Sequence, residues 1–508
     1  MLRNRRAGPG APVLAVVGIV FWASCGFSAD ALHINLLEAI QLALAKNFQI
    51  RSAKYGPQIA RARQLSASGK FDPVAQVSVT YDENSQELLT LNNNLDSPAT
   101  VAGTTPDLFA VTTGTEVDAS ITGLTPWGLT YDVSASTTGT TNTQQRNDRF
   151  NSFFGVEITQ PMLRNFGTEV NLAPLRIARA DRAISEWTLR DRVIQVITDT
   201  VNTYCELFFT TENLGVEERS KELAAQTLSD NLKRAEIGVM SPLDVLQARS
   251  DLAAREERVL VARRAMLDNE NFLKQLVTDE VFRVLETRLT IKPIPALLEF
   301  KPDPEKDFPR AFELRPDYRQ ALLELQKRQI NVVFSRNQTL PRLDLVASFG
   351  VNGIDTSLVD SIQRVTGQSN YNLAWTTGIV GSLPVPNRQA RGVLQADKLE
   401  IARALVELKQ LEQSILVEAD NAAGQIETTR KRVDASRVAL EFARKTLDAA
   451  QARLASGTST TFEVLQFQRD LATAEINDLR ARADHIRAIA AYAKSTGLTL
   501  EKNGIAID

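Results

Sequence analysis

The chain has 508 residues, and its 58 Lys and Arg against 61 Asp and Glu give a formal charge of −3. That balance excludes a surface built to neutralise phosphates, so nucleic-acid binding drops out. Two Cys (Cys25, Cys205) and two His (His33, His485) leave almost no raw material for a Cys/His metal centre, a thiol-redox centre or histidine acid–base catalysis. With 43 % apolar but only 6 % aromatic residues, the composition suits helices packed through Ala and Leu, and Cys205 reads as a small buried hydrophobe in one of them.

Residues 1–31 read as a secretion signal: Arg3, Arg5 and Arg6 precede an apolar run over 12–22, and small residues stand around Ala29 and Ala31. The run is shorter than the ~20 residues a membrane span needs. Lipidation at Cys25 is an open alternative, although Trp22 is bulky where lipoprotein signals carry an aliphatic residue. No later segment is apolar enough for a membrane helix, which leaves a soluble exported protein or a β-barrel.

The mature chain opens with a helix over 36–68, entered through Asn35 and Glu38 as a capping box. A strand follows in which Val77, Val79 and Tyr81 alternate with Gln76, Ser78 and Thr80. Next, two alternating runs over 117–122 and 129–135, joined by a turn over 123–128, form a hairpin within 113–138 that either joins the sheet or sits above it. Phe154, Val156 and Ile158 alternate with Gly155, Glu157 and Thr159 in a second strand. A helix over 172–237 and a returning helix over 242–276 complete the first half. A Pro-rich linker over 291–309 leads to a helix over 307–336, strands over 343–349 and 373–380, and helices over 389–456 and 461–496.

The second half repeats the first. Arg234, Gly238, Ser241, Asp244, Val245, Leu246 and Gln247 return at one constant offset as Arg453, Gly457, Thr460, Glu463, Val464, Leu465 and Gln466. The earlier matches, Gly155–Pro161 with Gly378–Pro384 and Asn47 with Arg315, lie at larger offsets, so the first copy carries an insertion after Tyr81. This divides the chain into repeat 1 (32–290), the linker (291–309), repeat 2 (310–500) and a tail (501–508).

Each long helix holds roughly 67 residues and spans on the order of 100 Å. Leu440, Ala443, Leu447, Ala450 and Leu454 keep heptad spacing, as do Ala225, Leu228, Leu232 and Ala235; coiled-coil packing is the natural way to bury such rods, and an ordinary amphipathic helix bundle has equal access to the same heptads. The few two-faced strands would leave open edges in a soluble sheet. Closing several chains into one barrel removes the edges, sets Val77, Val79, Val156, Ile158, Leu343 and Leu345 against lipid, and turns Gln76, Glu157 and Asp344 to water.

The duplicated turn has a local logic. Gly238 suits a left-handed helix end, Ser241 an N-cap, Pro242 a first helical position, and Asp244 the far side of a capping box; Gly457, Thr460 and Glu463 repeat the pattern. Two readings stand: the carboxylates only cap helices, or rods assembled around an axis gather them into a ring that favours cations.

The doubled Gly-x-x-Ser/Thr-x-x-Asp/Glu-Val-Leu turn, Arg315-Pro316-Asp317-Tyr318, Gln160-Pro161-Met162-Leu163 and the opening run from Ile34 to Asn47 resemble the TolC-type outer-membrane efflux proteins, from Ile34 to Leu500. That resemblance implies a mainly α fold with a transmembrane β-barrel part, two tandem repeats, and long antiparallel coiled coils forming a tunnel in a homotrimer. It implies a passive exit duct in the outer membrane of a Gram-negative bacterium, serving a tripartite efflux pump or type I secretion with a periplasmic adaptor and an inner-membrane transporter. Neither an enzyme nor a cofactor is implied. Asp244 and Glu463 match constriction positions, and Gly238, Ser241, Pro242, Gly457, Ser459 and Thr460 match the adaptor-facing turns. Gln466 replaces a second acidic residue of some members, which weakens cation selectivity, and Ser459 replaces a basic latch residue. Asn47-Phe48 lacks the proline found at Pro316, a difference confined to a helix start. The rival from another class is a non-transporting periplasmic helical scaffold, which requires soluble strands.

Overall fold

A computed structural model describes residues 32–87, 109–142, 148–238, 240–280, 288–293, 300–367, 372–456 and 458–505. The secretion signal with Cys25, the turn residue Gly457, residues 294–299 of the linker and the last three residues of the tail lie outside the described residues.

The first strand, β1 (Leu32–Ile34), leads into α1 (Leu36–Lys46), α2 (Phe48–Ala53) and α3 (Tyr55–Ser68). The capping box is present at 2.8 Å in both directions between Asn35 and Glu38. One helix was expected over this stretch, but Asn47 adopts extended backbone and its side-chain oxygen accepts the N–H groups of Gln49 and Ile50, so the chain restarts as a new helix.

Strands β2 (Val74–Glu87), β3 (Phe109–Leu124), β4 (Thr130–Asn142) and β5 (Arg149–Pro161) follow, then the single turn α4 (Thr168–Asn171). The helical hairpin α5 (Ala173–Glu236) and α6 (Pro242–Val277) comes next, with β6 (Leu289–Ile291) after it. The remaining elements are α7 (Pro304–Leu314), α8 (Pro316–Gln338), β7 (Arg342–Asp355), α9 (Leu358–Thr366), β8 (Asn372–Ser382), the hairpin α10 (Arg388–Ala455) and α11 (Thr461–Ser495), and the short α12 (Thr499–Lys502).

Three expectations need correction. The stretch assigned to linker already carries β6 at one end and, from Pro304, the first turn of α7, where Pro304 opens the helix and Glu305 and Asp307 favour its positive end. The helix expected over 307–336 is broken at Arg315, because Pro316 excludes helical backbone in the residue before it. Asn47 thus does in the first half, by side-chain capping, what Pro316 does in the second by sterics. The tail assigned from 501 contains the end of α12.

All strands except β1 and β6 form one antiparallel sheet in the order β2-β3-β4-β5-β7-β8. The inserted hairpin therefore lies inside the sheet, between β2 and β5. The strands are 11 to 16 residues long, longer than their apolar alternation, because polar stretches such as Asp82–Gln86 continue the ladder into β3.

In α5, 64 residues span about 96 Å. α11 runs antiparallel beside α5: Gln468 bonds Thr227, Arg480 bonds Glu206 and Lys494 bonds Gln195. The turns of both hairpins therefore lie at the same end, remote from the sheet. The main core forms where α1, α5, α6 and α11 meet, around Ala39, Ala43, Val196, Ile197, Leu273 and Ala483; the alanines let the helix axes approach. β1 and β6 pair in parallel at the margin of that core. Buried Tyr204 lies within hydrogen-bond reach of the carbonyls of Lys292 (2.9 Å) and Ile34 (3.2 Å), and burial pushes its phenol up to about 12. No helix among the described residues is long and apolar enough to cross a membrane.

Candidate functional site

The hairpin turns are built by local capping. Gly238 ends α5 at φ +77°, the left-handed region that a side chain resists. Ser241 caps α6, its hydroxyl accepting the Leu243 N–H at 3.2 Å, and Pro242 is the first helical residue. Neither half of the expected capping box is made: the Ser241 hydroxyl takes the Leu243 N–H instead of that of Asp244, whose N–H goes to the Ser241 carbonyl at 3.1 Å, and the half-exposed Asp244 carboxylate makes no bond to the Ser241 N–H.

In the second turn Thr460 accepts the Glu463 N–H at 3.2 Å. The Glu463 carboxylate turns to the neighbouring hydroxyl of Ser459, which donates to it at 2.5 Å. That bond holds the Glu463 carboxyl below the usual carboxylate range, helped by the charge of Arg453. Arg453 also braces the turn by donating to the Thr458 carbonyl at 3.2 Å. Gln466 is exposed and its amide donates to Asp470 at 3.1 Å. Asp244 and Glu463 thus occupy equivalent positions at one end of the helical part, with no hydrogen bond between them among the described residues.

A feature that the sequence reading missed lies behind the turns. Arg255 of α6 is completely buried. Its guanidinium donates to Asp251 at 2.7 Å, to the carbonyl of Ser220 at 3.1 Å and to the Ser220 hydroxyl, and reaches Gln468 of α11 at 3.5 Å. Asp251 also faces Arg469 of α11 at 3.2 Å. A buried charge is held only by several partners at once, so this cluster ties α5, α6 and α11 together just behind the acidic turns. The i,i+4 spacing of Asp251 and Arg255 was its only sequence signal.

At the other end the sheet register sorts side chains by face. Val77 and Val79 share a face with Ala119 and Val117, these with Ala135 and Thr137, and onward with Phe154, Val156 and Ile158. Across β7 and β8 the same face carries Leu343, Leu345, Phe349, Trp375 and Ile379. The six positions expected against lipid therefore stand on one apolar face, and Val77, at 73 % exposure, has no cover among the described residues. Gln76, Glu157 and Asp344 stand on the opposite, polar face with Ser120, Ser134 and Ser348. The strand ends nearest the helices are joined by the short turn between Leu124 and Thr130; at the far ends β2–β3 and β7–β8 are joined by long connections and β4–β5 by a short one.

Comparison with known proteins gives a consistent picture. Residues 117–278 and 309–498 match the family model described as outer membrane efflux protein. The outer membrane efflux protein BepC of Brucella suis biovar 1 (strain 1330) is 21 % identical over 355 residues, 70 % of this chain and 74 % of BepC. Among solved structures, the Campylobacter jejuni CmeC outer membrane channel matches with a TM-score of 0.67 at 17 % identity, over 91 % of this chain and 85 % of that one. The open-state MtrE outer membrane channel of Neisseria gonorrhoeae matches with a TM-score of 0.63 at 15 % identity, over 91 % and 88 %. At such identities the structures speak for the fold.

Proposed function

The chain belongs to the outer membrane efflux protein family, and from that membership we propose that it is the exit duct of a tripartite efflux pump in the outer membrane of a Gram-negative bacterium. The observation that carries the proposal is the mainly apolar face that runs across all six strands, opposed by a polar face. Among the described residues only α9 packs on that face, at its outer end. Three copies side by side would close three six-stranded sheets into one barrel, of a size class that leaves an aqueous channel. The apolar face would then meet lipid and the polar face would line the pore.

In this reading the helical hairpins are two tandem repeats, 32–290 and 310–500, that pack as coiled coils into a periplasmic tunnel. Its narrow end lies at the two turns. There, three copies of Asp244 and Glu463 would form acidic rings that favour cations, and Gln466 would leave a third ring neutral. The exposed turn residues Gly238, Ser241, Pro242 and Thr460, with the half-buried Ser459 and with Gly457, are the surface offered to a periplasmic adaptor, while an inner-membrane transporter selects the cargo and supplies the energy. Transport through the duct itself is passive. The family is one of channels and not of enzymes, and the chain needs no cofactor for this role.

The test is the state of the protein as extracted. A three-chain assembly that leaves the membrane only with detergent supports the duct; a protein released by salt alone as a monomer would favour the periplasmic scaffold.

A further inference from the structure

The connection between β7 and β8 carries α9, and the sheet register fixes which face it covers. Ser152 pairs with Gly353, Phe154 with Val351, Val156 with Phe349 and Ile158 with Ala347. Alternate residues share a face, so Ser152 and Gly353 belong to the apolar face, at its end remote from the helices. α9 is seated on these two residues. Ser361 of α9 is completely buried, and its hydroxyl bonds that of Ser152 at 2.8 Å; Ser152 in turn meets the hydroxyl of Thr137 at 3.0 Å. A Cβ at Gly353 would lie 2.3 Å from the backbone oxygen of Ser361, so glycine is what lets the helix backbone descend onto the strand. Arg364 pairs with Asp355 at 2.6 Å and secures the end of β7 to the helix.

This packing inverts that of an ordinary surface helix. The small polar Ser361 is turned inward, while Leu358, Val359 and Ile362 remain 44, 60 and 42 % exposed. They share one side of the helix with Val365, and Asp360 and Arg364 stand on the other. The level is also specific. With the usual rise and tilt of barrel strands, Ser152 stands roughly 23 Å above the helical end of β5, against an apolar band ~25 Å tall in outer-membrane barrels. The exposed side chains of α9 thus continue the apolar face at its outer rim.

We infer that α9 is an interfacial helix that lies in the outer lipid layer, with Leu358, Val359 and Ile362 inserted among the acyl chains just beneath the headgroups. An apolar flank with charges opposite it is the pattern of a helix lying in the plane of an interface. The strands hold it there through Ser152, Thr137 and Gly353, so it fixes the depth of the sheet in the bilayer. The inference rests on the barrel reading given above.

Full-length protein carrying Val359→Cys, Ile362→Cys, Asp360→Cys or Val156→Cys, in a background with Cys25→Ser and Cys205→Ala, is labelled with bimane and reconstituted into phosphatidylcholine vesicles. Quenching is read with a shallow doxyl lipid, a deep doxyl lipid and aqueous iodide. The Val359→Cys and Ile362→Cys labels are expected to be quenched at least about twofold by the shallow doxyl lipid and shielded from iodide, with the reverse at Asp360→Cys. Val156→Cys, on the sheet itself, reports the barrel independently through the deep doxyl lipid. Lipid quenching at Val156→Cys, with iodide quenching alone at both α9 labels, would overturn the inference and leave the barrel standing. Absence of lipid quenching at every position, Val156→Cys included, would overturn the barrel reading and the inference together.

Discussion

Replacing Arg255 by Met while Asp251 stays in place should loosen the end of the hairpins that carries the acidic turns. Arg255 has no exposed surface and gives hydrogen bonds to Asp251, to both oxygens of Ser220 and to Gln468. Its loss leaves Asp251, only 8 % exposed, with Arg469 as its one remaining cation among the described residues. Breaking a buried pair by removing one partner costs about 3–5 kcal/mol, and the surviving Arg469 contact places this case near the lower figure. About 3 kcal/mol is roughly a 150-fold rise in the local opening equilibrium. Hydrogen–deuterium exchange of the peptides 242–256 and 461–470, in detergent-solubilised protein, reads that quantity directly. The double variant Arg255→Met/Asp251→Leu should return exchange to within about tenfold of the unaltered protein, because an apolar pair in place of a buried ion pair is close to neutral. Effects of the two single changes that simply multiply in the double variant would refute the reasoning, as would an Arg255→Met change of less than about threefold.

Gly238→Ala should destabilise the α5–α6 turn by about 1–2 kcal/mol through backbone strain alone, since φ is +77° and no atom lies within 4 Å of an added Cβ; Gly238→Asn should cost less, and exchange at the turn amides compares the two. Ser459→Ala removes the hydroxyl that holds Glu463 ionised. Because the bond lowers the folded-state pKa, its contribution is present while Glu463 is ionised and is lost as pH falls through that pKa. The acid midpoint of Glu463, followed by carboxyl-labelled NMR, should therefore move upward in Ser459→Ala, and an unmoved or lowered midpoint would refute the assignment. Cys205, completely buried and with its thiol pushed up to about 12 by burial, should resist maleimide at mildly alkaline pH in the folded protein and react on denaturation; ready labelling of the folded protein would contradict the packing of α5 against α11.

The elements that the sequence announces most clearly are those whose side-chain period and caps agree. Both long helices and their returning partners begin and end within about two residues of the bounds read from heptads, Gly238, Ser241 and Thr460. Strand faces were equally legible, because Val77, Val156 and Leu345 stand next to the polar Gln76, Glu157 and Asp344 of the other face. Strand ends were not, since Asp82–Gln86 has no apolar alternation and is held by pairing with β3. The single-residue interruptions at Asn47 and Arg315 were hidden inside otherwise helical patterns. α9 was invisible for a different reason: most of its apolar residues, Leu358, Val359 and Ile362, stay exposed, and its buried residue is a serine.

At the turns, residue types predicted position but not partner. Glu463 sits where a capping box requires an acid, yet its carboxylate bonds Ser459, whose hydroxyl the sequence offers only as a neutral replacement for a latch. Arg255 shows the limit from the other side: an arginine in a helix reads as solvated surface, and only the placement of α5 and α11 around it reveals burial. Tertiary contacts of this kind leave no periodic trace in one chain.

The central claim, a membrane-spanning duct narrowed by acidic turns, is tested most directly by single-channel recording of the purified mature protein in a planar lipid bilayer under a salt gradient. The account predicts stable, small conductance steps with a cation-preferring reversal potential, and a shift of that potential toward zero when Glu463→Gln is combined with Asp244→Asn. Absence of insertion and current from a properly folded oligomer would contradict the duct, and a reversal potential unchanged by the double substitution would confine both carboxylates to shaping their turns.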